Sequence, residues 1–329
     1  MESIQNVGER EYEAAEEPGL SPFKLNLKLL WYLWIFIKSV VIGSLQTIFE
    51  CLGCLFFKKR MKSLTEQLVL VTGGGNGLGR RICFELAKEK CKIVIADLDI
   101  AGAQKTVSDL QSLGIEARAY KVDVSNYQQV VDLRNKIIED FGIVNILINN
   151  AGLLAKFSLM DGSPEDIQKV IDVNISSNFW TTRVFLKDMV VHKRGHIIGI
   201  SSVFGLLPCG RLILYSTTKF AVRGFMASLN EEIRFNKLSK HIKTTCIYPQ
   251  FIATRKELIS SLDEFNLRDR ILVMPPTFAA KEIVKAIKQE KLHLTLPNGS
   301  YFITCLLQIL PNRILERYVD VILGETKPT

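Results

Sequence analysis

The chain has 329 residues, enough for one large domain with appendages or for two small domains. It carries a formal net charge of +8 and is 47% apolar, so at least one strongly apolar segment is expected. No basic stripe interleaved with aromatics is present, so nucleic acid is not the expected partner; a basic surface facing anionic lipid is the better reading.

The first eighteen residues carry Glu2, Glu9, Glu11, Glu13, Glu16 and Glu17 against one Arg10, and residues 1–24 read as an acidic, disordered tail. Residues 25–62 follow as a hydrophobic anchor with a basic flank. Leu29 to Phe49 is long enough to cross a bilayer, which takes about 20 residues. Lys38 lies near its centre, at a cost of about 2.5–3.5 kcal/mol on insertion scales. The late start, the acidic tail and the lack of a small-residue cleavage site argue against a secretory signal. A spanning helix, a hairpin and a helix lying in the interface all remain open. Lys58, Lys59, Arg60 and Lys62 mark the cytosolic side.

Seven scattered cysteines do not form a disulfide framework, and Cys51-x-x-Cys54 has no second pair. His192 and His196 are four apart but lack a third ligand, so no metal is expected.

Residues 63–297 read as one domain. Gln67 to Val71 is a buried strand running into Thr72-Gly73-Gly74-Gly75-Asn76-Gly77-Leu78-Gly79, with a helix from Arg80 to Lys90. Strand, glycine loop and helix in that order suit a dinucleotide, whose pyrophosphate a helix N-terminus stabilises. Lys92 to Ala96 is a second strand ending at Asp97. An acid there accepts hydrogen bonds from a ribose diol and repels a 2′-phosphate, which favours NAD over NADP. Ala101 to Leu113 reads as helix, Glu116 to Val122 as strand, Tyr127 to Phe141 as helix and Ile143 to Ile148 as strand. The alternation predicts an α/β fold: one Rossmann-type, doubly wound parallel sheet in three layers. Thr72, Asp97, Asp123 and Asn149 then fall near strand ends, where such sheets bind ligands.

Tyr215 and Lys219 are four residues apart, stacked on one helix face. A phenol is a poor base at neutral pH, and a neighbouring ammonium favours the phenolate, so the pair can serve as a general base.

Taken together, TGGGNGLG, Asp97, Asp123-Val124, Asn149-Asn150-Ala151-Gly152, Ser202 and Tyr215-Ser-Thr-Thr-Lys219 resemble a single-domain short-chain dehydrogenase/reductase. The apolar anchor, the basic run, Ile242 to Pro249 and Glu290 to Pro297 are similar to its membrane- and lipid-droplet-associated branch. That branch contains epidermal retinol dehydrogenase and several 17-beta-hydroxysteroid dehydrogenases. The resemblance implies catalysis by Asn174, Ser202, Tyr215 and Lys219, with Ser202 holding the substrate oxygen and Asn174 a water leading from Lys219. Lys219 would also grip the nicotinamide ribose. It implies a cofactor cradle of Thr72, Gly73, Gly75, Asn76, Gly77, Leu78, Gly79 and Asp97. Asp123 and Val124 would flank the adenine, with Asn149, Ala151, Gly152 and Pro249 beside the cofactor and Thr254 at the carboxamide. Gln250 stands where the family commonly has glycine, which puts the loop over the nicotinamide in question.

Arg255 to Met274 is expected to be a mobile substrate lid. Residues 298–329 read as an amphipathic segment that packs on the domain, covers the substrate mouth or touches the membrane. The expected function is NAD-dependent oxidation of a lipophilic alcohol, a retinoid or a hydroxysteroid. An NADPH-linked carbonyl reductase and an inactive lipid-droplet scaffold are the alternatives. The resemblance further implies a homodimer on the endoplasmic reticulum membrane or lipid droplet, with its catalytic domain in the cytosol.

Overall fold

The computed structural model describes residues 22–56, 61–155, 159–254 and 273–323, and the chain divides into two units, Met1–Arg60 and Met61–Thr329. Within the first unit, helix α1 (Pro22–Phe56) runs unbroken for 35 residues. Its stretch Asn26–Ser44 is long and apolar enough to cross a membrane, and none of that window is buried. No turn interrupts α1, so the hairpin option drops out and one continuous helix stands in its place. Lys38 lies over the Trp34 ring, its Nζ 4.9 Å from the centroid. A cation on an aromatic face loses less on leaving water. Residues 1–21 of the acidic tail, Lys58 to Arg60, the side chains of Cys51 and Cys54, and residues 255–272 of the expected lid lie outside the described residues, whereas Pro22 to Lys24, read from sequence as part of the tail, open α1.

The second unit is built on seven parallel strands: β1 (Leu68–Thr72), β2 (Lys92–Asp97), β3 (Ala117–Lys121), β4 (Ile146–Asn149), β5 (Gly195–Ile200), β6 (Ile242–Pro249) and β7 (His293–Leu296). Their spatial order is β3-β2-β1-β4-β5-β6-β7. Strand side chains alternate between faces, and each face has its own core. Val69, Val71, Ile93, Ile95, Ile146 and Ile148 point to the side covered by α2 (Gly77–Ala87), α3 (Ile100–Ser112) and α8 (Pro276–Lys288). Leu68, Leu70, Val94, Leu147, Ile197 and Tyr248 point to α4 (Tyr127–Phe141), α6 (Ser177–Val191) and α7 (Ile213–Phe235). This is the expected three-layer α/β sandwich. The remaining α-helices among the described residues are α5 (Pro164–Ile171), α9 (Ser300–Ile309) and α10 (Asn312–Leu323).

Local signals set the helix starts. Asp99, Asn126 and Ser163 each accept a backbone N–H in the first turn of α3, α4 and α5, and Pro164 occupies a position where no donor is needed. Most boundaries fall within one residue of the sequence reading, but three differ by three residues, one of them the end of α2, at Ala87 instead of Lys90. β4 begins at Ile146 instead of Ile143, because Asn145 turns its Oδ1 to accept from Leu68 N at 3.0 Å. α2 begins at Gly77 instead of Arg80, so three residues of the glycine loop form its first turn. The strand order reverses between β1 and β4, and the crevice beyond their carboxyl ends is where such sheets bind ligands.

Candidate active site

After β1 the chain turns at Gly73, whose φ of +66° suits glycine, and enters α2 at Gly77. A side chain at Gly79 would collide with Gly73 O and Asn150 Nδ2, so the loop folds only with glycine there. Asn76 is the N-cap of α2 yet makes no capping bond; its Nδ2 donates to Asp99 Oδ2 at 3.0 Å instead. The first turn of α2 also holds no acidic residue. Among the described residues its leading amides therefore have no side-chain partners, at the positive end of a helix. That arrangement fits the pyrophosphate of a dinucleotide.

Asp97 closes β2 and steadies this loop. Its Oδ2 accepts from Gly75 N at 2.8 Å and its Oδ1 from Asp99 N at 3.0 Å. Each carboxylate oxygen retains a further lone pair for a ribose hydroxyl. Asp123 lies two residues beyond β3, with Oδ1 accepting from Ser125 N and Oγ, and Val124 is buried beside it. Leu78 packs on the α2 face of the core.

Thr72 has a bracing role. Its hydroxyl donates to Ile148 O and accepts from the amides of Asn150 and Ala151, each at 3.0 Å, which uses its full capacity. Asn150 is a site residue that the sequence reading does not single out. Its Nδ2 donates to Thr72 O at 2.9 Å and Gly73 O at 3.0 Å, tying the end of β4 to the glycine loop. The doubled Asn149-Asn150 is the available sign, since one side chain can serve β4 and the other its neighbour. Asn149 itself is bound by Thr181 and Thr182 of α6.

Tyr215 and Lys219 sit in the first two turns of α7. Lys219 Nζ is 5.6 Å from the Tyr215 ring centroid and donates to Ile200 O at 2.9 Å. Burial pulls the lysine pKa from 10.5 down to about 8. Burial also pushes the Tyr215 phenol up, and the Ser202 hydroxyl draws it back. The Lys219 ammonium lies over the Tyr215 ring. Ser202 caps a short 3₁₀ turn, Val203–Gly205, by accepting from Phe204 N at 3.2 Å, and it also donates to Pro249 O at 3.4 Å. The neighbouring Ser201 hydroxyl is committed to Lys219 O at 2.8 Å.

Asn174 lies in a five-residue π-turn, Asp172–Ser176, between α5 and α6. Such turns displace a side chain from the helical face it would otherwise occupy. The carboxamide is buried, accepting from Leu153 N at 2.7 Å and donating to Leu153 O and Thr218 Oγ1. Gly152 lies against both Asn174 Oδ1 and Lys219 Nζ. Thr254 stands beside Gly77 of the glycine loop. Gln250 is not at positive φ, and its amide donates to Leu296 O at 2.9 Å, so the missing glycine imposes no backbone strain.

The surroundings of Tyr215 are apolar. It packs in a cluster with Phe204, Leu207 and Phe251, and with Leu307 of α9 and Leu315 and Tyr318 of α10. Gln308 of α9 donates to Leu206 O, fixing α9 on this side. Thus residues of 298–329 pack on the domain next to Tyr215.

These features define an oxidoreductase of the short-chain dehydrogenase family, to which the chain belongs. The family model "short chain dehydrogenase" matches residues 67–260. Among curated proteins, estradiol 17-beta-dehydrogenase 11 of Homo sapiens is 31% identical over 302 residues, covering 90% of this chain and 96% of that protein. Epidermal retinol dehydrogenase 2 of Homo sapiens is 32% identical over 287 residues, covering 87% and 90%. A short-chain dehydrogenase/reductase from Burkholderia phymatum, solved in complex with NAD, has the same fold, with a TM-score of 0.67 at 24% identity over 82% of this chain and 99% of that one. A metagenomic short-chain oxidoreductase solved with NADP aligns with a TM-score of 0.59 at 22% identity, over 71% and 98%. The protein is therefore an enzyme of this family acting on CH–OH groups with a nicotinamide cofactor.

Proposed function

We propose that the enzyme oxidises the hydroxyl of a lipophilic alcohol, a retinol or hydroxysteroid, using NAD. The observation that carries this reading is the apolar cluster around Tyr215, closed by α9 and α10. A polar substrate would leave groups unsatisfied against Phe204, Leu307 and Leu315. The relatives named for estradiol and retinol support the same class.

A bound nicotinamide supplies the hydride acceptor. The α2 amides with Gly73, Gly75 and Gly79 would hold its pyrophosphate, and Asp97 the adenosine ribose. Asp123 and Val124 would lie at the adenine, and Asn149, Ala151, Gly152, Pro249 and Thr254 along the remainder. Ser202 orients the substrate oxygen, and Tyr215 takes its proton. Lys219 grips the nicotinamide ribose, and Asn174 holds the π-turn against Leu153 and Thr218. Burial raises the free phenol's pKa, so generation of the phenolate rests on the lysine charge gaining influence once solvent is displaced. Asp97 favours NAD because its charge repels a 2′-phosphate. α1 anchors the enzyme to the endoplasmic reticulum membrane or a lipid droplet, with the second unit in the cytosol as a homodimer.

The test is turnover of retinols, hydroxysteroids and fatty alcohols, with NAD and NADP in parallel, by the full chain and by Tyr215→Phe. The variant should lose turnover while retaining NAD binding, because only the ionisable oxygen is removed. Activity within a few-fold of the parent would remove Tyr215 from its role, and a preference for NADPH would replace oxidation by carbonyl reduction.

A further inference from the structure

At the amino edge of the sheet, opposite the active site, a cavity of about 340 Å³ opens between the starts of β1, β4, β5 and β6. Lys62, Lys193, Arg194, Lys240 and Lys243 line it, with Glu290 the single carboxylate among its lining residues. Glu290 reaches Lys62 at 3.4 Å and Lys243 at 3.9 Å. Among the described residues, Lys193, Arg194 and Lys240 have no carboxylate within ion-pair distance. Five cations thus face one anion.

Buried groups behind the lining fix Lys62 in place. Thr245 Oγ1 donates to Lys291 O at 2.6 Å, so it accepts from Nε2–H of the buried His196 at 2.7 Å. That fixes the imidazole tautomer and leaves Nδ1 as an acceptor, which the Lys62 ammonium meets at 2.9 Å. Lys62 is held at this point by a neutral partner that supplies no balancing charge. Burial lowers its pKa, Glu290 opposes that shift, and Arg194 and Lys243 add to it. Burial, followed by Lys62 and Lys243, holds His196 well below its usual value.

We propose that this cavity binds a phosphate group. A tetrahedral, multiply charged anion can accept from several cations spaced around a hollow, whereas a carboxylate has two oxygens on one side. In sequence Lys62 closes the basic run Lys58-Lys59-Arg60 that follows the apolar segment, so the phosphate of an anionic membrane lipid is the favoured source. A soluble phosphate ester offers the same chemistry. The assignment does not rest on the oxidoreductase reading.

The experiment uses the full chain in nanodiscs of neutral lipid and follows amide exchange at residues 193–195 and 240–243. Phosphatidic acid is added to the discs in one arm and glycerol phosphate to the buffer in another. Protection with phosphatidic acid alone identifies a lipid headgroup, and protection with glycerol phosphate identifies a phosphate site open to soluble esters; either supports the proposal. Arg194→Gln combined with Lys240→Gln alters two exposed side chains and should weaken binding about tenfold or more. Glu290→Gln should tighten it. Protection in neither arm, or binding indifferent to both variants while the strands keep parental exchange, would overturn the proposal.

Discussion

Lys219→Met tests how strongly the fold is strained by the charge it keeps beside Tyr215. In the native state burial holds the lysine pKa near 8, against 10.5 when free. Each tenfold change in proton affinity corresponds to about 1.4 kcal/mol, so protonating the buried amine at neutral pH costs roughly 3 kcal/mol of stability. The sign follows from proton binding. The unfolded chain holds this proton to higher pH than the folded one, so the cost is full below about pH 8 and fades as pH rises through 10.5. Methionine keeps most of the volume and carries no charge. It also removes the bond to Ile200 O, a loss of about 1–3 kcal/mol that hardly varies with pH. The difference in unfolding free energy between variant and parent should therefore shift by about 2–3 kcal/mol, in favour of the parent, between about pH 7 and pH 10. Denaturant unfolding of both full-length proteins at the two pH values measures it, and taking the difference cancels the other titrations. The variant should also lose cofactor affinity and turnover. A difference that stays level with pH would mean that the lysine is not strained in the folded state.

Four further outcomes follow from the site and the anchor. Asp97→Ala should weaken NAD and relax discrimination against NADP by roughly tenfold, equivalent to about 1.4 kcal/mol; kcat/KM ratios for the two cofactors decide it, and an unchanged ratio would refute the assignment. Asn150→Ala removes both bonds to the Thr72 and Gly73 carbonyls. It should lower stability by about 1–3 kcal/mol and weaken nucleotide binding; thermal melts and a titration check both. Removing residues 25–57 should release the protein from membranes in a flotation assay. A glycosylation acceptor introduced before Glu17 should stay unmodified if α1 lies along the cytosolic face, and its modification would establish a span.

The sheet was legible because β1, β2 and β4 are short apolar runs separated by amphipathic helices, and the glycine loop fixed which of them comes first. The pair Tyr215 and Lys219 was legible for the same reason: helical spacing alone puts them on one face. What the sequence did not carry was the use each polar group makes of its neighbours. Thr72 reads as a ligand contact until its hydroxyl is seen filled by Ile148, Asn150 and Ala151. Asn150 reads as a neighbour of Asn149 until its amide is found on two carbonyls of the loop. Gln250 departs from a motif, yet the backbone there needs no glycine. The cations at the amino edge are spread from Lys62 to Lys243 in sequence, and only the strand order gathers them.

The division of labour along the chain has a consequence for inheritance and for engineering. The glycine loop, Asp97 and the Asn149-Asn150 brace are all complete by Gly152, whereas Leu307, Leu315 and Tyr318 come from the last thirty residues. Loss or replacement of the segment after Pro297 would strip one wall from the apolar cluster and leave the nucleotide half intact. Such a product would be expected to bind its coenzyme with an altered choice of alcohol. Exchanging this terminal segment between relatives is accordingly the shortest route to a changed substrate range.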